Sequence, residues 1–205
     1  MDTKTNSFIV CVFATADTPY VEIANRQIIA SLRSHGISHD FEEVPNLGTW
    51  QKNTSYKATF ALDMLNKHDK NIVLLDADCQ VLRYPDLFDN IPEQYNIAAH
   101  ILDWSTWYQR GDTIKEFLTG TLFLRNTERT KEIVKMWQWE CSKSNIWEQK
   151  CLANVLMRNQ EPVYNLPIGY CWINTMPFGE QPYVKCDDKV IVHYQASRDL
   201  KRTLR

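Results

Sequence analysis

Residues 71–79 read Asn71-Ile-Val-Leu-Leu-Asp-Ala-Asp-Cys79, in which an apolar run leads directly into two aspartates separated by one alanine. A short Ile, Val and Leu run bounded by polar residues is typical of a fully buried strand in a mostly parallel sheet. Ligands of open α/β sheets bind beyond the carboxyl ends of such strands. This stretch therefore predicts an α/β fold with Asp76 and Asp78 at its ligand-binding edge.

The two aspartates predict a cation site at that edge. If the chain stays extended after the strand, alternation directs the side chains of Asp76 and Asp78 to the same side. Converging carboxylates repel each other unless a cation or a shared proton neutralises them. Oxygen ligands favour a hard divalent ion, so Mn²⁺ or Mg²⁺ is the expected metal. The tripeptide alone is weak evidence, because a solvated or helix-capping pair has the same sequence.

A second metal-capable residue follows a late apolar strand. Residues 190–192 are Val-Ile-Val and lead into His193. A histidine in this position is by default a hydrogen-bonded structural residue. Two strands that deliver Asp76, Asp78 and His193 to one edge nevertheless predict a mixed oxygen and nitrogen site for Mn²⁺ or Mg²⁺.

The flanking sequence has the alternation of elements that builds a parallel sheet. An apolar strand is predicted at residues 7–13, an amphipathic helix at 20–34 and a weak strand at 40–44. The first strand is too short for the apolar region of a secretion signal, so we interpret it as structure. A helix from Thr54 or Ser55 to residue 67 should follow a polar loop at residues 49–53.

The second half of the chain continues the same pattern. Residues 102–111 contain Trp104, Trp107 and Tyr108 without a clear period, which indicates either a surface loop over buried aromatics or a lid or acceptor platform. Further elements are predicted as strands at 95–101, 119–126 and 189–194 and as helices at 128–141 and 147–157.

Composition limits the class of protein. A chain of 205 residues with 44% hydrophobic and 23% charged residues suits one soluble domain over residues 1–205. The net charge of −2 provides no general attraction for nucleic acid. Six cysteines without a Cys-X-X-Cys pair indicate reduced thiols and a cytoplasmic location. No segment approaches the ~20 apolar residues of a membrane span.

The motifs, in their order along the chain, resemble the GT-A class of nucleotide-diphospho-sugar glycosyltransferases. The likeness is strongest to small family-eight-like transferases of bacteria and phages, and it covers roughly residues 8–198. It is carried by Ala-Thr-Ala-Asp at 14–17, the helix with Lys57, Asp-Ala-Asp at 76–78, Gly-Thr at 120–121, Glu-Gln at 148–149 and Val-His-Tyr-Gln-Ala-Ser-Arg at 192–198.

The resemblance implies a fold and an activity. The fold would be a single Rossmann-like GT-A domain, with a mostly parallel central sheet and helices on both faces. The activity would be metal-dependent transfer of a sugar from a nucleotide-diphosphate donor, with a UDP-sugar as the first expectation. The acceptor would be a hydroxyl group of a glycan, a small molecule or a modified nucleic acid. The location would be cytoplasmic, in the host if a phage encodes the protein.

The resemblance also implies roles for particular residues. Asp76 and Asp78 would hold the divalent ion that bridges the two phosphates of the donor, with His193 as its third protein ligand, and Ala77 between them would contact the donor. The remaining positions are Thr15, Ala16 and Asp17 at the base and ribose, Lys57 and Arg198 at the phosphates, Gly120 and Thr121 at the sugar, and Glu148 and Gln149 at the reacting centre.

Two of these positions depart from the pattern of the resembling enzymes. Arg198 stands where they often have lysine, and Glu148 stands where retaining enzymes usually have aspartate. Glu148 and Gln149 are also ordinary residues for the first turn of a helix.

Three other functions remain open at this point. A sugar nucleotidyltransferase would share the sheet and the acidic metal site, although the glycine- and lysine-rich loop of many such enzymes is missing after the first strand. A phage-type transferase that modifies DNA bases would give the basic residues 198–205 an anionic partner. A non-catalytic sugar-nucleotide-binding module would have lost its chemistry, which the presence of Asp76, Asp78 and His193 disfavours.

Overall fold

The computed structural model describes residues 7–109, 111, 113–174 and 183–196. The strands are β1 (Phe8–Thr15), β2 (His39–Val44), β3 (Asn71–Leu75), β4 (Cys79–Val81), β5 (Ile97–Asp103), β6 (Lys115–Leu124), β7 (Val163–Asn165), β8 (Trp172–Ile173) and β9 (Ile191–His193). The helices are α1 (Pro19–Ala24), α2 (Ala30–Ser34), α3 (Trp50–Lys67), α4 (Trp104–Tyr108), α5 (Glu128–Lys143) and α6 (Glu148–Arg158). A π-helical turn, Asn25–Ile29, joins α1 to α2. The described residues also form two short 3₁₀ helices, Asp86–Asp89 and Ile168–Tyr170.

The main sheet has six strands in the order β2-β1-β3-β6-β5-β7. All of them run in one direction except β6, which is antiparallel to both of its neighbours, β3 and β5. The prediction of a mostly parallel α/β sheet is therefore confirmed. Because β1 and β3 are adjacent and parallel, Thr15 and Leu75 end at the same edge of the sheet.

Helices cover both faces of this sheet, as predicted. Alternate residues of the strands point to opposite faces, so Val10 and Val73 pack with α1 and α2, whereas Cys11 and Leu74 pack with α3, α5 and α6. Both layers are fully apolar at their centres, with Phe8, Ile28, Leu32 and Phe123 in one and Phe60, Met64, Ile133 and Trp137 in the other. Each such side chain contributes about 1.5–3 kcal/mol through burial.

A second, small sheet has the order β4-β9-β8. Its strand β9 is the buried strand predicted at residues 189–194, and it runs antiparallel to β4 with His193 opposite Cys79. This pairing brings His193, which is distant in sequence, next to the chain that follows β3. Among the described residues, no helix is long and apolar enough to cross a membrane.

Two predictions about helices are wrong. Helix α3 begins at Trp50 rather than at Thr54 or Ser55, because Thr49 caps it by accepting a hydrogen bond from the Lys52 backbone N–H at 3.2 Å. Residues 104–108 form the short helix α4 rather than a loop, with Asp103 as its cap. Trp107 of this helix is fully buried against Trp172 and forms part of the core, so the expectation of a buried aromatic in this segment is confirmed for Trp107.

Candidate active site

A cavity of about 430 Å³ lies at the edge of the main sheet where β1 and β3 end. Its lining comes from these strand ends, from β6 and β9, and from α3 and α6. The sequence-predicted residues that line it are Thr15, Lys57, Asp76, Ala77, Asp78, Gly120, Glu148, Gln149 and His193. Residues predicted to have different roles thus share one cavity.

Lys57 is the centre of a buried charged cluster. Its ammonium lies 2.5 Å from Asp76 Oδ1 and 3.9 Å from Glu148 Oε1, and it donates to the carbonyl oxygen of Thr119 at 3.3 Å. Burial alone would lower the pKa of Lys57, but the charges of Asp76 and Glu148 outweigh it and hold the pKa above its usual value. The lysine therefore stays charged and offsets part of the negative charge of the site.

Glu148 is the first residue of α6 and is buried at the cavity wall. Its Oε1 accepts a hydrogen bond from Thr119 Oγ1 at 3.0 Å, and its backbone carbonyl accepts one from Trp137 Nε1 at 2.7 Å. The neighbouring Gln149 donates from Nε2 to Glu116 Oε1 at 2.6 Å. Glu148 is thus held in a fixed position beside Lys57, unlike a solvated residue in the first turn of a surface helix.

The chain turns after β3 instead of staying extended. The Asp76 backbone N–H donates to the carbonyl of Gly120 at 3.1 Å, and the turn at residues 77–78 closes with the Cys79 N–H donating to the carbonyl of Asp76 at 3.2 Å. The expectation that simple alternation aligns Asp76 and Asp78 is therefore wrong. The chain has to leave the main sheet because β4 pairs with β9. Both carboxylates nevertheless line the cavity.

The two aspartates lie in different electrostatic environments. Burial raises the pKa of Asp78 to about 6, and the charge of Asp76 adds to this shift. Burial alone would also raise the pKa of Asp76, but the charge of Lys57 outweighs it, so the pKa lies below its usual value. Asp78 Oδ2 accepts a hydrogen bond from the Ala196 backbone N–H at 2.7 Å. The pair therefore holds more negative charge than Lys57 offsets.

His193 is a buried, neutral imidazole beside these carboxylates. Its Nδ1 lies 4.0 Å from Asp76 Oδ2 and 3.1 Å from Cys79 Sγ, and its Nε2 lies 2.9 Å from Thr121 Oγ1. Burial lowers the pKa of His193 to about 4, so the ring is uncharged near neutral pH. A neutral imidazole is the form that binds metal ions.

Gly120 of β6 makes the close approach of His193 and Asp76 possible. A Cβ atom at this position would lie 2.7 Å from His193 Cε1 and 3.0 Å from Asp76 Oδ2. Contacts at these distances are not tolerated without a shift of the imidazole or of the strand. The absence of a side chain at Gly120 is therefore part of how the site is built.

The donor atoms fit a divalent cation. Asp76 Oδ2 and His193 Nδ1 are 4.0 Å apart, which is within twice the ~2.1 Å at which such ions bind oxygen or nitrogen. Asp78, Cys79 and His193 also offer ligand atoms within 4.8 Å of one another. Burial raises the pKa of Cys79 well above its usual value, so its thiol is neutral and suits a hard cation less than the carboxylates do.

Four predicted site residues lie apart from the cavity lining or outside the described chain. Thr121 is fully buried and is not among the lining residues, but its Oγ1 lies 2.9 Å from His193 Nε2 and so helps to orient that ring. Ala16 and Asp17 form the turn after β1, where Asp17 is exposed and has a φ of 58°. Arg198 lies outside the described residues.

Sequence reasoning missed several residues of the cavity. Glu116, Leu118 and Thr119 of β6 line it beside the predicted Gly120. Glu116 was missed because the strand was predicted to begin at residue 119, whereas it begins at Lys115. Trp50 was missed for a similar reason, since the predicted start of α3 was one turn too late.

Comparison with known proteins assigns the chain to a family. Residues 11–197 match the nucleotide-diphospho-sugar transferase family. No curated protein sequence matches the chain at a significant level.

The fold is similar to those of several solved glycosyltransferases. A glycosyltransferase involved in the glycosylation of the major capsid of PBCV-1 has a TM-score of 0.67 and 16% identity, over 97% of this chain and 99% of that one. The bifunctional glycosyltransferase WbbM has a TM-score of 0.64 and 11% identity, over 95% of this chain and 47% of that one. The galactosyltransferase LgtC, solved with donor and acceptor sugar analogs, has a TM-score of 0.56 and 12% identity, over 91% of this chain and 87% of that one.

The family match covers nearly the whole chain, and the neighbours share its sheet and helices. The family match confirms the resemblance that the order of motifs indicated. The chain belongs to the nucleotide-diphospho-sugar transferase family and is a glycosyltransferase of GT-A fold.

Proposed function

We propose that this protein, as a single domain, transfers a sugar from a UDP-sugar to a hydroxyl acceptor with the help of Mn²⁺ or Mg²⁺. Asp76, Asp78 and His193 are the proposed ligands of the metal. The observation that carries the proposal is their convergence at the carboxyl edge of the sheet, with Asp76 Oδ2 only 4.0 Å from His193 Nδ1. The family match supports a nucleotide-diphospho-sugar as the donor.

The reaction breaks the bond between the anomeric carbon and the diphosphate oxygen and forms a bond from that carbon to the acceptor oxygen. The leaving diphosphate is an anion, and a bound divalent ion supplies positive charge at its oxygens. Lys57 contributes a further fixed cation on the opposite side of Asp76. Because Asp76 and Glu148 hold its ammonium, little reorganisation is needed when charge develops. Arg198 is a second proposed phosphate contact.

Glu148 and Gln149 are the proposed groups at the reacting centre. The Glu148 carboxylate can accept the proton of the acceptor hydroxyl, or it can stabilise positive charge at the anomeric carbon. Its hydrogen bond from Thr119 Oγ1 at 3.0 Å fixes one of its oxygens. Gln149 donates to Glu116, so its side chain is oriented along the same cavity wall.

The proposed donor occupies the cavity from the end of β1 to Gly120. Thr15, Ala16 and Asp17 are the proposed contacts of the base and ribose, and Thr15 lines the cavity beside Thr18. Gly120, with Thr121 behind it, borders the proposed position of the sugar. A cytoplasmic location completes the proposal, and it is supported by the fact that all six cysteines are free.

The decisive assay measures transfer and donor hydrolysis with a panel of nucleotide sugars, with Mn²⁺ and with excess EDTA. We expect turnover only with metal, and we expect Asp78→Asn to lose it by about a hundredfold or more while the protein stays folded. Full activity in EDTA, or an unchanged rate in Asp78→Asn, would contradict the proposal. Incorporation of a nucleotide from NTP and sugar phosphate would instead identify a nucleotidyltransferase.

A further inference from the structure

Two exposed tryptophans stand at the mouth of the cavity. Trp50 and Trp147 are 42% and 48% exposed, and their rings meet edge to face with centroids 6.2 Å apart. Both residues line the cavity that also contains Lys57 and Glu148. In contrast, Trp137 is completely buried in the core. The pair therefore leaves a large aromatic surface accessible at the entrance of the active site.

The pair lies farther out than the reacting groups. Trp50 precedes Lys57 by seven residues on α3, which places it on the same face and about 10.5 Å farther along the helix. Trp147 is the residue immediately before Glu148, at the cap position of α6. Both rings therefore border the cavity nearer to solvent than Lys57 and Glu148, which are buried.

The rings are held by contacts between the segments that carry them. Gln51 donates from Nε2 to the carbonyl oxygen of Asn145, which joins the first turn of α3 to the segment before α6. The ammonium of Lys150 lies 5.4 Å from the centroid of the Trp147 ring. The aromatic surface is therefore a positioned part of the cavity wall.

The chemistry around the rings favours an uncharged sugar as the occupant. The C–H face of a sugar ring is apolar and can cover an indole, while its hydroxyl groups need polar partners. Asn53, Gln149 and Glu116 line the same cavity and offer such partners.

Electrostatics disfavours a second anionic occupant beside the proposed diphosphate donor. The charged side chains among the described lining residues are the four carboxylates of Asp76, Asp78, Glu116 and Glu148 and the single ammonium of Lys57. Nucleic acid binds proteins largely through cations that contact its phosphates. Lys57 is proposed to serve the donor's diphosphate, and at the tryptophans the structure places the ammonium of Lys150, 5.4 Å from the Trp147 ring centroid. One cation is too few for the several phosphates of an oligonucleotide, so a neutral acceptor is favoured.

We propose that Trp50 and Trp147 form a stacking subsite for the acceptor, and that the acceptor is an uncharged glycan. This inference rests on the proposed function, because it assigns the acceptor half of that reaction. It is nevertheless testable by binding alone, without turnover. The proposed metal site can fail while the subsite binds sugar, and the reverse is equally possible.

The experiment measures dissociation constants by calorimetry for three neutral disaccharides (lactose, maltose and cellobiose), for UDP with Mn²⁺ and for a single-stranded oligonucleotide. The variants are Trp147→Ala, Trp50→Ala and the conservative Trp147→Phe. The matched control is Trp139→Ala, because Trp139 is 60% exposed on α5 and is not among the lining residues. Circular dichroism verifies that each variant is folded, and Trp147→Phe provides the test if Trp147→Ala is not.

We expect at least one disaccharide to bind and both alanine variants to weaken it by about tenfold or more. Trp147→Phe should retain more of the affinity, and Trp139→Ala should match the unaltered protein. UDP affinity should fall by less than disaccharide affinity in every variant. The inference is overturned if no disaccharide binds, if Trp139→Ala has the same effect, if UDP affinity falls as much, or if the oligonucleotide binds more tightly than the sugars.

Discussion

The site has two halves that balance their charge in different ways. In the lysine half, Lys57 lies within 4 Å of carboxylate oxygens of Asp76 and Glu148, so cation and anions are already paired. In the proposed metal half, the neutral ring of His193 lies 4.0 Å from the second oxygen of Asp76, and Asp78 lines the same cavity. In the lysine half the charges are paired within the protein, whereas the other half is left with negative charge beside a neutral imidazole.

This difference indicates which part of the site would be stabilised by a bound cation. Burial together with the charge of Asp76 raises the pKa of Asp78 to about 6, which means that the protein alone stabilises this carboxylate poorly. A divalent cation would relieve that cost, while the lysine half needs none. Mutations in the two halves should therefore have separable effects, on stability in one and on metal-dependent binding in the other.

The largest effect on stability is expected for Lys57→Met. The substitution leaves the carboxylates of Asp76 and Glu148 without their cation, and the free energy of unfolding should fall by about 2–4 kcal/mol. Urea denaturation measures this change. The control is Lys67→Met, because the Lys67 ammonium is half exposed as it bridges Asp40 and Glu42, and its loss should cost about 1 kcal/mol or less. Equal losses in the two variants would contradict a special role for the buried cluster.

A smaller effect on the free energy of unfolding is expected for Gly120→Ala, which tests the proposed metal half of the site. The new Cβ would lie 2.7 Å from His193 Cε1, so the imidazole or β6 must move, at a cost of about 1–3 kcal/mol. Metal-dependent UDP binding should weaken as well, because His193 is displaced from Asp76. The control is Gly111→Ala, where a Cβ meets no atom within 4 Å. Mn²⁺ and UDP affinities that stay unchanged in Gly120→Ala would show that this close approach is irrelevant to the site.

The smallest effect is a pH dependence at a surface cluster remote from the cavity. Burial alone would raise the pKa of Asp40, but its hydrogen bonds to Lys67 and His68 outweigh it and hold the pKa below 3.8. A lowered carboxyl pKa stabilises the folded state above about pH 4, and this contribution is lost as the pH falls through the folded value. Asp40→Asn should thus cost about 1 kcal/mol or less at pH 6 and still less at pH 3. Denaturation at both pH values tests this, and a larger cost at pH 3 would reverse the sign of the argument.

Local sequence was sufficient to predict the elements that form the sheet edge. The apolar run before Asp76 predicted β3, and the run before His193 predicted β9, because buried strands have a strong local signal. The order of short motifs along the chain indicated the family, which the match over residues 11–197 confirmed.

The geometry between these elements could not be predicted from local patterns. The separate sheet of β4, β8 and β9 depends on pairing between Cys79 and His193, which are 114 residues apart. The turn after Asp76 follows from that pairing, so alternation along the strand was a wrong guide. The cap at Thr49 was missed because Thr54 and Ser55 are equally good caps when packing is unknown, and the cap at Asp103 was missed because no helix was predicted at residues 104–108.

The most direct test of a preformed lysine half and a cation-dependent metal half is the dissociation constant of UDP, measured with increasing Mn²⁺. Asp78→Asn and Lys57→Met should be compared with the unaltered protein. We expect Asp78→Asn to keep its stability and lose the dependence on Mn²⁺, and Lys57→Met to lose stability and keep that dependence. The account would be contradicted if UDP bound equally well to all three proteins without Mn²⁺, or if Asp78→Asn retained the full response to the metal.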